Sequence, residues 1–125
     1  NDTQKVNLEF PIVADVNHEV AALYDMIHPN ESDTAAVRSV FIIDPSKKIS
    51  LTMTYPMSVG RNFTEILRVI DALQAGDANR IATPADWTPG HEVIIPPSIT
   101  NEQAQGLFPQ GWNEIRPYLR TTTID

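Results

Sequence analysis

Arg38 and Arg61 are the residues whose type and setting best suit chemistry. Arg38 lies between a polar loop and an apolar run that reads as a strand. That places it near the end of a sheet, where α/β folds collect their sites. Arg61 directly precedes Asn62, a strong helix N-cap. Its charge is mildly unfavourable against the helix dipole, so an anionic partner is expected to offset it. The competing reading for both is a partly exposed arginine in a surface ion pair, which contributes little.

Other constellations fail on spacing. His18, His28 and His91 include no pair spaced as helical metal ligands, and no HExxH occurs. His18 reads as a helix-surface residue. There is no GxGxxG, no P-loop and no GxSxG. Ser58 and Ser98 are turn-like serines without a nearby base. Glu31 and Asp33 read as a solvated loop, not an acid/base pair.

The elements that must position the arginines come from residues 38–74. Val40-Phe41-Ile42-Ile43 is apolar on both faces and predicts a strand covered on both sides. Asp44-Pro45-Ser46-Lys47 suits a tight turn, since proline pre-sets φ and Asp can bond the backbone ahead. Ile49, Leu51, Met53 and Tyr55 then alternate with Ser50, Thr52 and Thr54, the pattern of a half-buried antiparallel strand that Pro56 ends. Asn62 and Glu65 fit a capping box. Phe63, Ile66, Leu67, Ile70 and Leu73 make one apolar helical stripe, and Gly76 is placed at C′.

Upstream, Asn1 to Asn7 reads as a polar end, and a start without Met suggests processing or truncation. Ile12-Val13-Ala14 predicts a short strand. Asp15-Val16-Asn17 starts a helix with Val20, Leu23, Tyr24 and Ile27 as its stripe, and Pro29 closes it. Residues 29–36 are a polar loop. Six of the ten prolines lie beyond residue 80, so regular structure should thin out there. Val93-Ile94-Ile95 is a short strand stopped by Pro96-Pro97, and Thr100 with Gln103 caps one or two helical turns up to Leu107. Trp87, Phe108 and Trp112 then need another surface to bury them, either the chain's own body or a partner subunit.

The bulk numbers exclude several classes. A chain of 125 residues is long enough for one compact domain of ordinary size. Its charge is 9 − 16 = −7 with scattered basic residues, a poor match to nucleic acid or an anionic membrane. No apolar segment reaches transmembrane length, and no signal peptide is visible. With no cysteine, the chain itself has no disulfide, thiolate metal site or cysteine nucleophile.

The segments FPIVAD, AALYDMIHP, RSVFIIDPSKKISLTMTYP, GRNFTEILRVIDALQ, ATPADWTPG, VIIPPS and LFPQGW resemble, in order and spacing, the C-terminal part of 1-Cys peroxiredoxins from about Leu8 to the end. The run GRNFTEILRVIDALQ followed by ATPADWTPG is the most specific. The resemblance implies an α/β fold: the C-terminal part of a thioredoxin-like domain over 1–76, then the family's C-terminal domain and dimerisation arm over 77–125. It implies a thiol peroxidase that reduces hydrogen peroxide and organic hydroperoxides, without cofactor or metal. The PVCTTE-type motif that carries the catalytic thiolate is absent, so the isolated chain is expected to be inactive.

Residue by residue, Arg38 matches the arginine facing the catalytic sulfur. Positive charge beside a thiol favours the reactive thiolate, and a fork of donors can hold the peroxide oxygens. Arg61 matches a second arginine that supports the active-site helix through an acidic partner in the missing half. Ser46 stands where some members place an Asp needed for phospholipase A2 activity, so that activity is not carried over. The implied partners are a hydroperoxide, a thiol reductant, the N-terminal half of the same enzyme and a second copy in a homodimer or larger assembly. Neither nucleic acid nor membrane is implied, and the expected location is cytoplasmic. The alternative is a non-catalytic dimerisation or interaction module.

Overall fold

A computed structural model describes residues 7–28, 30 and 36–124. The chain divides into two compact units, Asn1–Phe41 with Leu51–Arg61, and Ile42–Ser50 with Asn62–Asp125. The polar pair Glu31 and Asp33 lies outside the described residues.

In the first unit, α1 spans only Glu19–Leu23. The helix expected from Asp15 starts four residues later, because Asp15 acts as a cap from outside it. Its carboxylate accepts the Val20 and Ala21 N–H groups at 3.0 and 2.7 Å. Those bonds, led by the one from Ala21, hold the Asp15 carboxyl below its ordinary range. His18 takes a left-handed conformation at the N-cap, φ 57°. Ala21 is the helix's buried residue, while Val20 and Leu23 of the expected stripe are exposed. Residues 12–14 form no strand: Ile12 and Val13 are 70% exposed and have no paired neighbour among the described residues.

Strands β1 (Arg38–Ile43) and β2 (Ile49–Tyr55) form a two-stranded sheet. Their short connection makes them antiparallel, since a parallel pair needs a long crossover. In the turn, the Asp44 carboxylate accepts the Ser46 hydroxyl at 2.7 Å and the Lys48 N–H at 2.9 Å, and Lys47 takes φ 66°. β2 buries Leu51, Met53 and Tyr55 in part and exposes Ser50, Thr52 and Thr54, as its alternation requires, but Ile49 at its start is 55% exposed. β1 departs from expectation. Val40, Phe41 and Ile42 are only half-buried and Ile43 is exposed, because two strands alone cannot cover both faces.

In the second unit, α2 spans Phe63–Asn79. Asn62 Oδ1 accepts the Glu65 N–H at 3.2 Å. The reciprocal half of the expected capping box is missing, because Glu65 instead pairs with Arg68. Gly76 is not at C′. The helix runs on through Asp77-Ala78-Asn79, and Arg80 takes the left-handed C-cap position and donates its N–H to the Gly76 carbonyl. α2 has a second apolar face. Val69 is buried, and Ala72 and Ala75 pack against the core, whereas Phe63 and Leu67 of the expected stripe are 69% and 62% exposed.

Beyond α2 the chain is more regular than its prolines suggest. Strands β3 (Val93–Ile95), β4 (Asn113–Arg116) and β5 (Leu119–Thr122) make an antiparallel sheet of order β3-β5-β4, with a bulge between Glu114 and Arg116. Neither β4 nor β5 was expected. α3 (Asn101–Leu107) carries the full Thr100–Gln103 capping box. Ile81, Trp87, Val93, Ile95, Ile99, Ala104 and Phe108 form the core. Trp87 and Phe108 therefore find their surface within the chain.

Candidate functional site

Arg38 is the first residue of β1 and is exposed. Its Nη1 donates to the Val59 carbonyl at 3.3 Å. Val59 closes a turn through its own N–H to the Pro56 carbonyl, 3.0 Å, two residues before Arg61. Beside it, Ser39 Oγ and Thr54 Oγ1 link the two strands at 3.0 Å. A guanidinium has five N–H donors. Among the described residues, one bond to a neutral carbonyl restrains Arg38 and no carboxylate pairs with it, an arrangement with donors to spare for an anion or a pair of oxygens. Arg61 is exposed, and no hydrogen bond or ion pair reaches it among the described residues.

A different arginine makes an ion pair. Arg68 holds Glu65 through Nε and Nη2 at 2.6 and 2.8 Å, and Nη1 reaches the Trp87 carbonyl at 3.1 Å. The Arg68 guanidinium lowers the Glu65 carboxyl below its usual range, chiefly by hydrogen bonding. Glu and Arg three residues apart on a helix was a legible signal for this pair. Arg120, also missed, is 4% exposed. It donates to Asn101 Oδ1 at 2.6 Å and to the carbonyls of Pro96 and Ile99. No sequence signal marks it, since its partners are brought together only by the fold.

His18 is exposed, His28 Nε2 lies 3.0 Å from the Asp25 carbonyl, and His91 Nδ1 lies 2.8 Å from Thr88 Oγ1. Among the described residues no group of three His, Asp or Glu gathers to hold a metal. A cavity of about 320 Å³, whose lining includes Arg80, Leu107, Phe108 and Ile124, contains neither Arg38 nor Arg61.

The C-terminal domain of 1-Cys peroxiredoxin matches residues 72–111, and the AhpC/TSA family matches residues 1–52. A solved yeast mitochondrial 1-Cys peroxiredoxin, described as using glutathione/thioredoxin systems in its thiol-resolving mechanism, superposes with TM-score 0.89 at 49% identity, covering 98% of this chain and 61% of that one. A cysteine-to-serine mutant of peroxiredoxin 6 from Arenicola marina superposes with TM-score 0.83 at 41% identity, over 95% of this chain and 58% of that one. The fold is accordingly the α/β, thioredoxin-like fold of peroxiredoxins. A 1-Cys peroxiredoxin of Dictyostelium discoideum is 50% identical over 121 residues, which is 97% of this chain and 50% of the relative. The mitochondrial peroxiredoxin of Saccharomyces cerevisiae is 52% identical over 93% of this chain and 46% of its own length. The chain belongs to the 1-Cys peroxiredoxin family and spans about half the length of these curated relatives. Among the described residues no helix is long and apolar enough to cross a membrane.

Proposed function

We propose that this chain is the arginine-bearing part of a 1-Cys thiol peroxidase whose cysteine lies in the other half of the enzyme. The carrying observation is Arg38: exposed and, among the described residues, held by one neutral carbonyl, in a cysteine-free chain of a peroxidase family. The thiolate attacks one peroxide oxygen, the O–O bond breaks, and the sulfur becomes a sulfenic acid while an alkoxide or hydroxide leaves and takes up a proton. Arg38 favours the thiolate at the start and stabilises the leaving oxygen at the end. Two thiols then return the sulfenic acid to thiol, releasing water and a disulfide. The yeast relative's glutathione/thioredoxin systems supply the model for that reductant. Arg61 supports the site through an acidic partner in the other half. The homodimer and a cytoplasmic location belong to the same reading; against the location stands the mitochondrial yeast relative.

Mixing this chain with the cysteine-bearing half should give peroxide consumption that neither piece shows alone. Native mass spectrometry should show the two pieces bound. A bound but inactive pair would remove Arg38 from its role. A second reading, a non-catalytic interaction module, draws on the complete core of the second unit. It would gain if the chain bound a full-length peroxiredoxin subunit without raising its turnover.

A further inference from the structure

We propose that residues 62–124 are an autonomous folding unit, latched by Arg120, that keeps its structure when the segments before it unfold. Every member of the core cluster, from Ile81 to Phe108, and the residues packed on it, Ala72, Ala75, Trp112 and Ile124, lie in this stretch. The sheet β3-β5-β4 is complete within it, and Ala82 closes one edge by exchanging two hydrogen bonds with Ile94 at 2.8 and 2.9 Å. Arg68 ties α2 to the Trp87 carbonyl, and Gln110 ties the α3 exit to the Thr123 carbonyl at 2.7 Å. A stretch of roughly 60 residues is small but within the range of domains that fold alone.

The segments before it differ, including Ile42–Ser50, which belong to the same compact unit but add no buried apolar residue to its core. Among their described residues only Ala21 and Val37 are buried apolar groups, while Phe10, Ile12, Val13, Val16 and Leu23 are exposed. Their described residues form no comparable core to fold around.

Arg120 is the latch because of what surrounds it. A buried guanidinium needs partners. Those it has are neutral and come from one segment, the Pro96 and Ile99 carbonyls and the Asn101 amide oxygen. β5 cannot leave without stripping the cation of three bonds and leaving three acceptors bare. Strand docking and the start of α3 are thereby one event. This inference does not depend on the role of Arg38, so either can fail alone.

Limited proteolysis of the intact chain, read by mass, should leave a resistant fragment that begins between Pro56 and Phe63 and contains Trp87 and Arg120. Hydrogen exchange should find the Ala82, Ile94 and Phe108 amides at least about tenfold slower than Tyr24 and Val37, as expected for separate units of local stability. Digestion without a resistant fragment, or equal exchange in both groups, overturns autonomy. Arg120→Met should speed exchange at Ile94 and Phe108 by about 10²–10³-fold, the loss of hydrogen bonds to a buried charge. Arg120→Lys should fall between, since one ammonium cannot replace the fork. Unchanged exchange in Arg120→Met overturns the latch. If Arg120→Met does not fold, Asn101→Ala takes its place, with about tenfold acceleration expected and no acceleration counting against it.

Discussion

Arg38 carries the functional reading at the scale of single residues. Among the described residues its Val59 bond occupies one N–H of the fork, and the proposed role gives the others to a reacting oxygen. In the reconstituted enzyme, Arg38→Ala should lower the rate of peroxide reduction by about 10²–10³-fold, as losing one donor to a developing oxyanion does elsewhere. The thiol pKa, read by the pH dependence of alkylation, should rise. An unchanged rate and pKa would assign the chemistry to other groups. Arg38 was legible as a candidate because a loop-to-strand boundary is visible in sequence. Arg120 was not, because its partners lie 19 to 24 positions away.

Two outcomes concern α2 as an element. Gly76 lies inside the helix, and a Cβ there would meet the Ile81 carbonyl oxygen at 3.5 Å, an ordinary contact. Gly76→Ala should therefore stabilise the chain by about 0.5–1 kcal/mol, read by urea unfolding. Had Gly76 held the left-handed C′ position, the same change would destabilise. The second outcome is acid sensitivity. Arg68 lowers the folded Glu65 pKa, so the pair's contribution is full above the unfolded value and is lost as pH falls through the folded one. Trp87 fluorescence, followed below about pH 5, should report that loss in the wild type, and Glu65→Gln should remove this part of the profile. Both points turn on competition that sequence leaves open. Glu65 could satisfy the N-cap amide or Arg68, and a bidentate charge-assisted pair is the stronger choice.

At the scale of the whole molecule, the apolar residues left exposed decide behaviour in solution. Phe10, Val16 and Leu23 in the first unit, and Phe63 and Leu67 in the second, are large groups facing water. Exposed apolar surface and open strand edges favour association. The isolated chain should self-associate in sedimentation velocity, and the cysteine-bearing half should shift it to a defined complex. A monodisperse monomer with a sharp, reversible thermal transition would contradict this.

The local elements and the family were legible in the residues alone. Alternation set β2, the Thr100–Gln103 spacing set the α3 cap, and the GRNF and ATPADWTPG runs identified the 1-Cys peroxiredoxins. These signals are local, so periodicity and short-range hydrogen bonding record them. It took the folded chain to show that Ile12-Val13-Ala14 is not a strand, that β5 pairs with both β3 and β4, and that Trp87 and Phe108 share a core. Strand pairing and burial depend on partners distant in the chain, and the energy of a side chain depends on what finally covers it.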